Sequence, residues 1–140
     1  VMKKFILMCA MLGFAAQSHA VSGSWSKDTL HYTIYASNTA ATMPFRSTTY
    51  MSTGASYVTS LSWQWTPYAN GNFSEVVQIC YSGKYSTVIG GCRTYPARQG
   101  TTQDFNGLDA SGTFWVRHTL VGGSYPAVSS TADRISVVYQ

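Results

Sequence analysis

Few side chains in this 140-residue sequence are of the types that carry acid–base or nucleophilic chemistry. His31 and His118 could be combined with a serine and an aspartate into a Ser–His–Asp triad, but no G-x-S-x-G elbow positions a nucleophile. His118 alternates along its segment with apolar residues and is predicted to be a packed or edge histidine, whereas His31 is predicted to lie on the solvent side of a strand. Neither histidine is expected to be catalytic.

The acidic residues are equally poor candidates for catalysis. A glycosidase needs two carboxylates that converge across a sugar, and the whole chain contains five acidic residues. Asp104, Asp109 and Asp133 lie in turn-like stretches, where an aspartate usually bonds to nearby backbone. The sequence also has no phosphate-binding loop and no dinucleotide fingerprint. We therefore expect no enzyme, no catalytic residue and no cofactor.

The cysteines point to a structural role. Cys80 and Cys92 have eleven residues between them and do not form a C-x-x-C motif. Without a nearby histidine they would make a poor zinc site. Cys9 lies in a segment that is predicted to be removed, so an even number of cysteines remains, as in exported proteins that form disulfides. We predict a Cys80–Cys92 disulfide.

Large aromatic side chains are the one group that could form a binding surface. Trp63 and Trp65 alternate with Tyr57 along one segment, and Trp115 lies on another. They could stack against a sugar or a partner protein, but a small sandwich also needs large side chains to fill its core. Burial in the core is the favoured interpretation, and any exposed tryptophan is a candidate for partner binding. The last strand adds further candidates, Ile135, Val137 and Tyr139.

The elements that would position these residues are predicted to be strands. Charged residues make up 10% of the chain and aromatic residues 14%, a composition that excludes disorder and coiled coils and suits pleated sheets. No convincing helical spacing occurs after the first twenty residues, while alternation with a period of two recurs. The pattern predicts one all-β domain over 21–140, a small antiparallel β-sandwich or barrel. The strands are expected at residues 30–36, 57–66, 73–82, 85–89, 113–121 and 134–139.

The turn signals predict how some of these strands are connected. Asn70-Gly71 favours a tight turn, so 57–66 and 73–82 are predicted to form a hairpin. Residues 37–55 and 92–112 have weaker patterns and are predicted to be long, partly irregular loops. The terminal strand 134–139 is predicted to be an unpaired edge that offers main-chain hydrogen bonds to a partner.

The first twenty residues have the pattern of a secretory signal peptide. Lys3 and Lys4 precede an apolar run over residues 5–16, which is too short to span a bilayer, and Ser18 and Ala20 suit a signal peptidase. Cleavage after Ala20 is predicted to release an exported chain with seven basic and five acidic residues, a net charge of +2. Because the basic residues form no run, binding to nucleic acid or insertion into a membrane is not expected.

Several short motifs in a fixed order give the exported part a family resemblance. The motifs run from a Gly23-Ser24-Trp25 opening through Leu30-His31-Tyr32, Leu61-Ser62-Trp63, Val77-Gln78-Ile79-Cys80, the second cysteine Cys92, 100–105 (GTTQDF), Phe114-Trp115-Val116, Gly122-Gly123 and Pro126-Ala127 to the terminal 135–139 (ISVVY). In this order, chain length and signal peptide, the sequence resembles the flagellar protein FlhE family. The resemblance implies a β-sandwich-like periplasmic protein with a non-enzymatic role in flagellar assembly, either as a chaperone or as a guard of the export gate. Its partners would be flagellar proteins, and it implies no catalytic residues.

Two other classes of exported β-protein remain as alternatives. A chaperone–usher pilus or fibre subunit would also be disulfide-bonded and would carry a penultimate tyrosine, as Tyr139 does here. Against this alternative, the cysteines of such subunits usually lie further apart, and Ala127 occupies the position where a glycine is expected. A sugar-binding or lysozyme-inhibitor module is the third possibility, and it depends on Trp63, Trp65 and Trp115 alone.

Overall fold

A computed structural model describes residues 22–140 of the protein, and strands are the regular elements of this part of the chain. The predicted signal peptide 1–20 and its cleavage site lie outside the described residues. Among residues 22–140, no helix is long and apolar enough to cross a membrane. The eight strands are β1 (Gly23–Leu30), β2 (Thr39–Phe45), β3 (Val58–Gln64), β4 (Ser74–Ser82), β5 (Gly90–Thr94), β6 (Gln99–Thr102), β7 (Thr113–Val121) and β8 (Ala132–Tyr139).

The strands form two antiparallel sheets of four strands each. Sheet I has the order β1-β8-β3-β6, and sheet II has the order β2-β7-β4-β5. The alternation predicted for β7 is observed, because Phe114, Val116, His118 and Leu120 are buried while the residues between them are partly exposed. Inward-facing side chains of both sheets form one core. The all-β prediction is therefore confirmed.

The predicted hairpin between 57–66 and 73–82 is wrong, because β3 and β4 belong to different sheets. β3 pairs with β8 and β6, whereas β4 pairs with β7 and β5. The connection between them carries Trp65 and Tyr68, which are 8% and 4% exposed. The connection crosses from sheet I to sheet II, and these two rings are buried in the core along the way. The Asn70-Gly71 turn therefore lies within a crossover and not within a hairpin.

The prediction of an unpaired edge at 134–139 is also wrong. β8 lies inside sheet I, with β1 on one side and β3 on the other. The predicted strand 30–36 overlaps β1 only at Leu30, and beyond it the structure has an isolated bridge at Ile34. β1 comprises the polar stretch Gly23–Leu30, in which Trp25 is the one buried residue.

Short strands also replace parts of the predicted loops. β2 lies within 37–55, and β5 and β6 occupy parts of the region 90–102. All three are edge strands. β2 buries a short alternating series, Ala41, Met43 and Phe45, whereas β5 and β6 are short, mostly polar or glycine, and have no buried residue. Pattern alone therefore could not find β5 and β6.

The predicted Cys80–Cys92 disulfide is present and links β4 to the edge strand β5. Replacing both cysteines with alanine is expected to lower the free energy of unfolding by about 3 kcal/mol, because the bridge closes a short loop in the unfolded chain. Urea unfolding with and without reductant measures the effect. Reductant should destabilise the native protein to the level of the double variant and leave that variant unchanged. Equal stability of the two proteins under oxidising conditions would contradict the structural role.

Candidate functional site

Four buried ionisable side chains form a continuous row of hydrogen bonds between the two sheets. Nδ1 of His118 on β7 lies 2.6 Å from Oε1 of Glu75 on β4, and its Nε2 lies 2.6 Å from Oδ2 of Asp133 on β8. The other oxygen of Asp133 lies 2.7 Å from Nε2 of His31, which follows β1. The row Glu75–His118–Asp133–His31, called the buried network below, therefore joins sheet II to sheet I through the core.

The crossover between β3 and β4 encloses the buried network. The backbone amide of Thr66 donates to Asp133, and that of Tyr68 donates to both carboxylate oxygens of Glu75. The ring of Tyr68 stacks on His31 with centroids 4.6 Å apart, and the edge of Trp65 meets His118 at 5.9 Å. Each carboxylate therefore accepts at least two hydrogen bonds, as buried charges require.

The surroundings of the buried network set the ionisation of its members. Burial by itself would lower the pKa of His118, but the hydrogen bonds and charges of Asp133 and Glu75 outweigh burial and raise the pKa above 6.5. Burial would raise the pKa of Asp133, but its hydrogen bonds to His118 and His31 and the charge on His118 hold that pKa below 3.8. Both ring nitrogens of His118 face carboxyl oxygens, so this arrangement favours the imidazolium form, in which both nitrogens donate.

The predictions for these residues are partly confirmed. His118 is a packed histidine, as predicted, and is fully buried. The solvent-side prediction for His31 is wrong, because this side chain turns inward at the end of β1 to bond Asp133. Asp133 does not serve a turn either. It belongs to the inward-facing series Asp133, Ile135 and Val137. Extending the predicted alternation from Ile135 back to Asp133 would have placed Asp133 in the core.

The distances within the buried network are those of hydrogen bonds, and they are too short for the ligands of one metal ion. His31, His118 and Asp133 offer ligand atoms within 4.8 Å of one another, but the N···O separations of 2.6 and 2.7 Å are hydrogen-bond distances. Ligands of one tetrahedral zinc ion would lie about 3.3 Å apart, given bonds of about 2.0 Å. The side chains of both histidines are 0% exposed, so no substrate reaches them in the folded state. The arrangement is suited to holding the two sheets together.

The ionisation of the buried network predicts how stability depends on pH. The pKa of His118 is raised on folding, so its contribution is complete below about pH 6.5 and is lost as the pH rises through the folded-state pKa. The pKa of Asp133 is lowered, so its contribution is complete above about pH 3.8 and is lost as the pH falls through the folded-state pKa. Urea midpoints should therefore be highest between these limits.

The alkaline side of this profile is the specific test, because Asp28, Asp104 and Asp109 also have lowered pKa values and contribute to the loss of stability in acid. Urea midpoints measured from pH 5 to pH 9.5 are expected to decline in the upper half of the range. A midpoint that stays constant over the whole range would contradict an imidazolium at His118.

The structure separates the predicted aromatic binding residues. Trp65 is buried beside the network. Trp63 is half-buried on sheet I, where its ring lies against Gly100 and Tyr95 and its indole N–H donates to the Ala97 carbonyl. Trp115 is half-buried on the outer face of sheet II, and its indole N–H donates to the Ser82 hydroxyl. The three tryptophans therefore form no common platform.

The other predicted partner-binding residues lie on β8. Ile135 and Val137 are 0% exposed and belong to the core, so they are not available to a partner in the folded protein. Tyr139 is partly exposed and lies over Gly23. Partner binding by Trp63, Trp115 and Tyr139 stays a prediction.

Comparison with known proteins adds a likeness of fold. No protein-family model matches the sequence, and no curated protein sequence matches it. The structure is similar to the crystal structure of a protein described as FlhE, with a TM-score of 0.67 and 18% sequence identity over 85% of this chain and 97% of that chain. The chain therefore has an FlhE-like fold, as the resemblance of the sequence motifs implied.

Proposed function

We propose that this protein is a non-enzymatic accessory protein of flagellar assembly, which acts in the periplasm by binding flagellar proteins. The observation that carries the proposal is the likeness of fold to FlhE, which extends over 97% of that chain. The order of the sequence motifs supports the same assignment independently of the coordinates. A chaperone-like role and a guarding role at the export gate are both compatible with it.

The chemistry of the described residues favours binding over catalysis. The one cluster of histidines and carboxylates, the buried network, is enclosed by Trp65 and Tyr68 and is inaccessible to a substrate. Its two carboxylates accept hydrogen bonds from the histidines and from backbone amides, while Nδ1 of His31 has no hydrogen-bond partner among the described residues. A rigid domain whose ionisable core is closed in this way acts through its surface.

The pairing of β8 also bears on the pilus alternative. Subunits that are completed by a donor strand leave a groove in their own sheet for a strand from the next subunit. Here β8 lies between β1 and β3 and exchanges backbone bonds with both. The described sheet I is complete without a donor strand, so the protein is expected to be monomeric when purified, whereas a fibre subunit without its chaperone would polymerise.

Deleting the gene is the test of the proposed function. Deletion is expected to leave growth normal and to impair swarming or misplace filaments, and a plasmid copy of the full chain should restore the parental behaviour. Export is checked in the same strains, since the mature protein should begin at Val21 in the periplasmic fraction. A deletion strain that assembles flagella and swarms like its parent would overturn the proposal.

A further inference from the structure

A basic groove lies where the edge strands of the two sheets meet, on a surface that the buried network does not reach. Two adjoining depressions of about 500 Å³ and about 320 Å³ share Arg46, Lys84 and Thr113. The larger is walled by Lys27 of β1 and by Trp115 of β7, and the smaller ends at Tyr50 in the loop after β2. These six residues define the basic groove.

Positive charge is concentrated in the basic groove. Of the seven basic residues between 22 and 140, Lys27, Arg46 and Lys84 line it, and none of the five acidic residues does. Asp109 attracts Lys84 from nearby, but its carboxylate already accepts hydrogen bonds from the amides of Gly54 and Ser111. Among the described residues, the groove is therefore lined by positive charges and by no carboxylate. This local charge is present although the net charge of the described chain is small.

Lys84 is held in position within the basic groove. Its ammonium donates to the carbonyl of Met51 and lies 4.2 Å from the centre of the Tyr50 ring and 5.6 Å from that of Tyr85. An ammonium has three donors, so Lys84 retains donors for a ligand after bonding to Met51. Tyr50 and Tyr85 are 80% and 82% exposed, and rings so far from the core contribute little to folding.

We propose that the basic groove binds an acidic segment of a partner protein, with Arg46, Lys84 and Lys27 contacting carboxylates and Trp115 and Tyr50 contacting apolar side chains between them. The charge of the groove calls for an anionic ligand. Exposed tyrosine, tryptophan and arginine together are the residue types that dominate protein–protein interfaces. The inference rests on the proposed function, because it gives the binding role a surface and a partner chemistry.

The test uses the exported chain, residues 21–140, and a fluorescein-labelled twelve-residue peptide that alternates glutamate with leucine, so that it offers both carboxylates and apolar side chains. Fluorescence anisotropy should detect binding that weakens in 0.5 M NaCl, since exposed charges are screened by salt. The double variant Arg46→Glu/Lys84→Glu should weaken binding by at least about tenfold, because reversed charges repel the peptide. In NMR spectra, the indole N–H resonance of Trp115 should shift as the peptide is added.

Arg98→Glu is the matched control for Arg46→Glu, because each reverses one charge at an exposed residue and Arg98 does not line the groove. It should change the affinity less than about twofold. Arg46→Glu alone, at an exposed position, repeats the test should the double variant fold poorly. Failure of the peptide to bind, equal binding by native protein and Arg46→Glu, or binding of an oligogalacturonate in place of the peptide would overturn the inference.

Complementation separates this inference from the proposed function. If the deletion strain swarms poorly and the double variant restores it fully, the groove is not the working surface and the flagellar role stands. If the groove binds the acidic peptide but the deletion strain swarms normally, the groove stands and the flagellar role is wrong.

Discussion

Replacing Asp133 with alanine is expected to lower the free energy of unfolding by about 3–5 kcal/mol, the usual effect of breaking a buried ion pair from one side. The carboxylate of Asp133 accepts hydrogen bonds from His31, His118 and the amide of Thr66. Alanine leaves all three donors without that acceptor, and it leaves the His118 imidazolium with Glu75 alone inside the core. Urea or thermal unfolding of the purified exported chain measures the loss.

A surface ion pair of similar geometry provides the control for Asp133. Asp28 bonds Arg134 through two hydrogen bonds, but both side chains are about half exposed. Asp28→Ala should therefore change the stability little, because water and salt replace most of the attraction. Equal effects of Asp28→Ala and Asp133→Ala would contradict the view that the buried network links the two sheets.

Replacing Val137 with proline is expected to abolish folding. Val137 is fully buried at the centre of sheet I, opposite Trp25 on β1 and Leu61 on β3. The His31 amide donates to the carbonyl of Thr131, in the same register as the β1–β8 pairs. Because hydrogen-bonded and non-hydrogen-bonded pairs alternate along antiparallel strands, Trp25 and Val137 are also a hydrogen-bonded pair. Proline removes the amide that bonds Trp25 and forces a different φ. Circular dichroism should show loss of the native sheet.

Ser26→Pro is the matched control for Val137→Pro. By the same alternation, the Ser26 amide points away from β8, toward the open side of the edge strand β1. The fold already tolerates Pro44 on the edge strand β2. Ser26→Pro should therefore retain the native spectrum, and a folded Val137→Pro protein would contradict the central place of β8.

The sequence predicted what depends on alternating apolar residues. β7 and β4, with inward residues such as Phe114 and Ile79, were found because both carry long apolar series. The disulfide followed from the even number of cysteines in an exported chain. Strand β1 was missed because its inward-facing residues other than Trp25 are glycine or polar, so Trp25 is the one apolar side chain that the strand buries.

The buried network could not be predicted from local pattern, because its four members come from distant parts of the chain. Glu75, His118, Asp133 and His31 each lie on or beside a different strand, and only the sheet order brings them together. The pairing of β8 was missed for a related reason. Alternation gives the face of a strand, but it does not give the neighbours of that strand.

Alanine variants of the two histidines would not be a clean test for catalysis. Since His31 and His118 are structural members of the buried network, alanine at either position would impair function by impairing the fold. Variants on the surface, which leave the core intact, are therefore the informative ones.

Swarming of the deletion strain carrying plasmid copies of the gene tests the central claim, a flagellar accessory protein that acts by surface binding. We expect the native chain and Arg98→Glu to restore swarming, and Arg46→Glu/Lys84→Glu to be exported, folded and unable to restore it. Normal swarming of the deletion strain without any plasmid copy would contradict the claim.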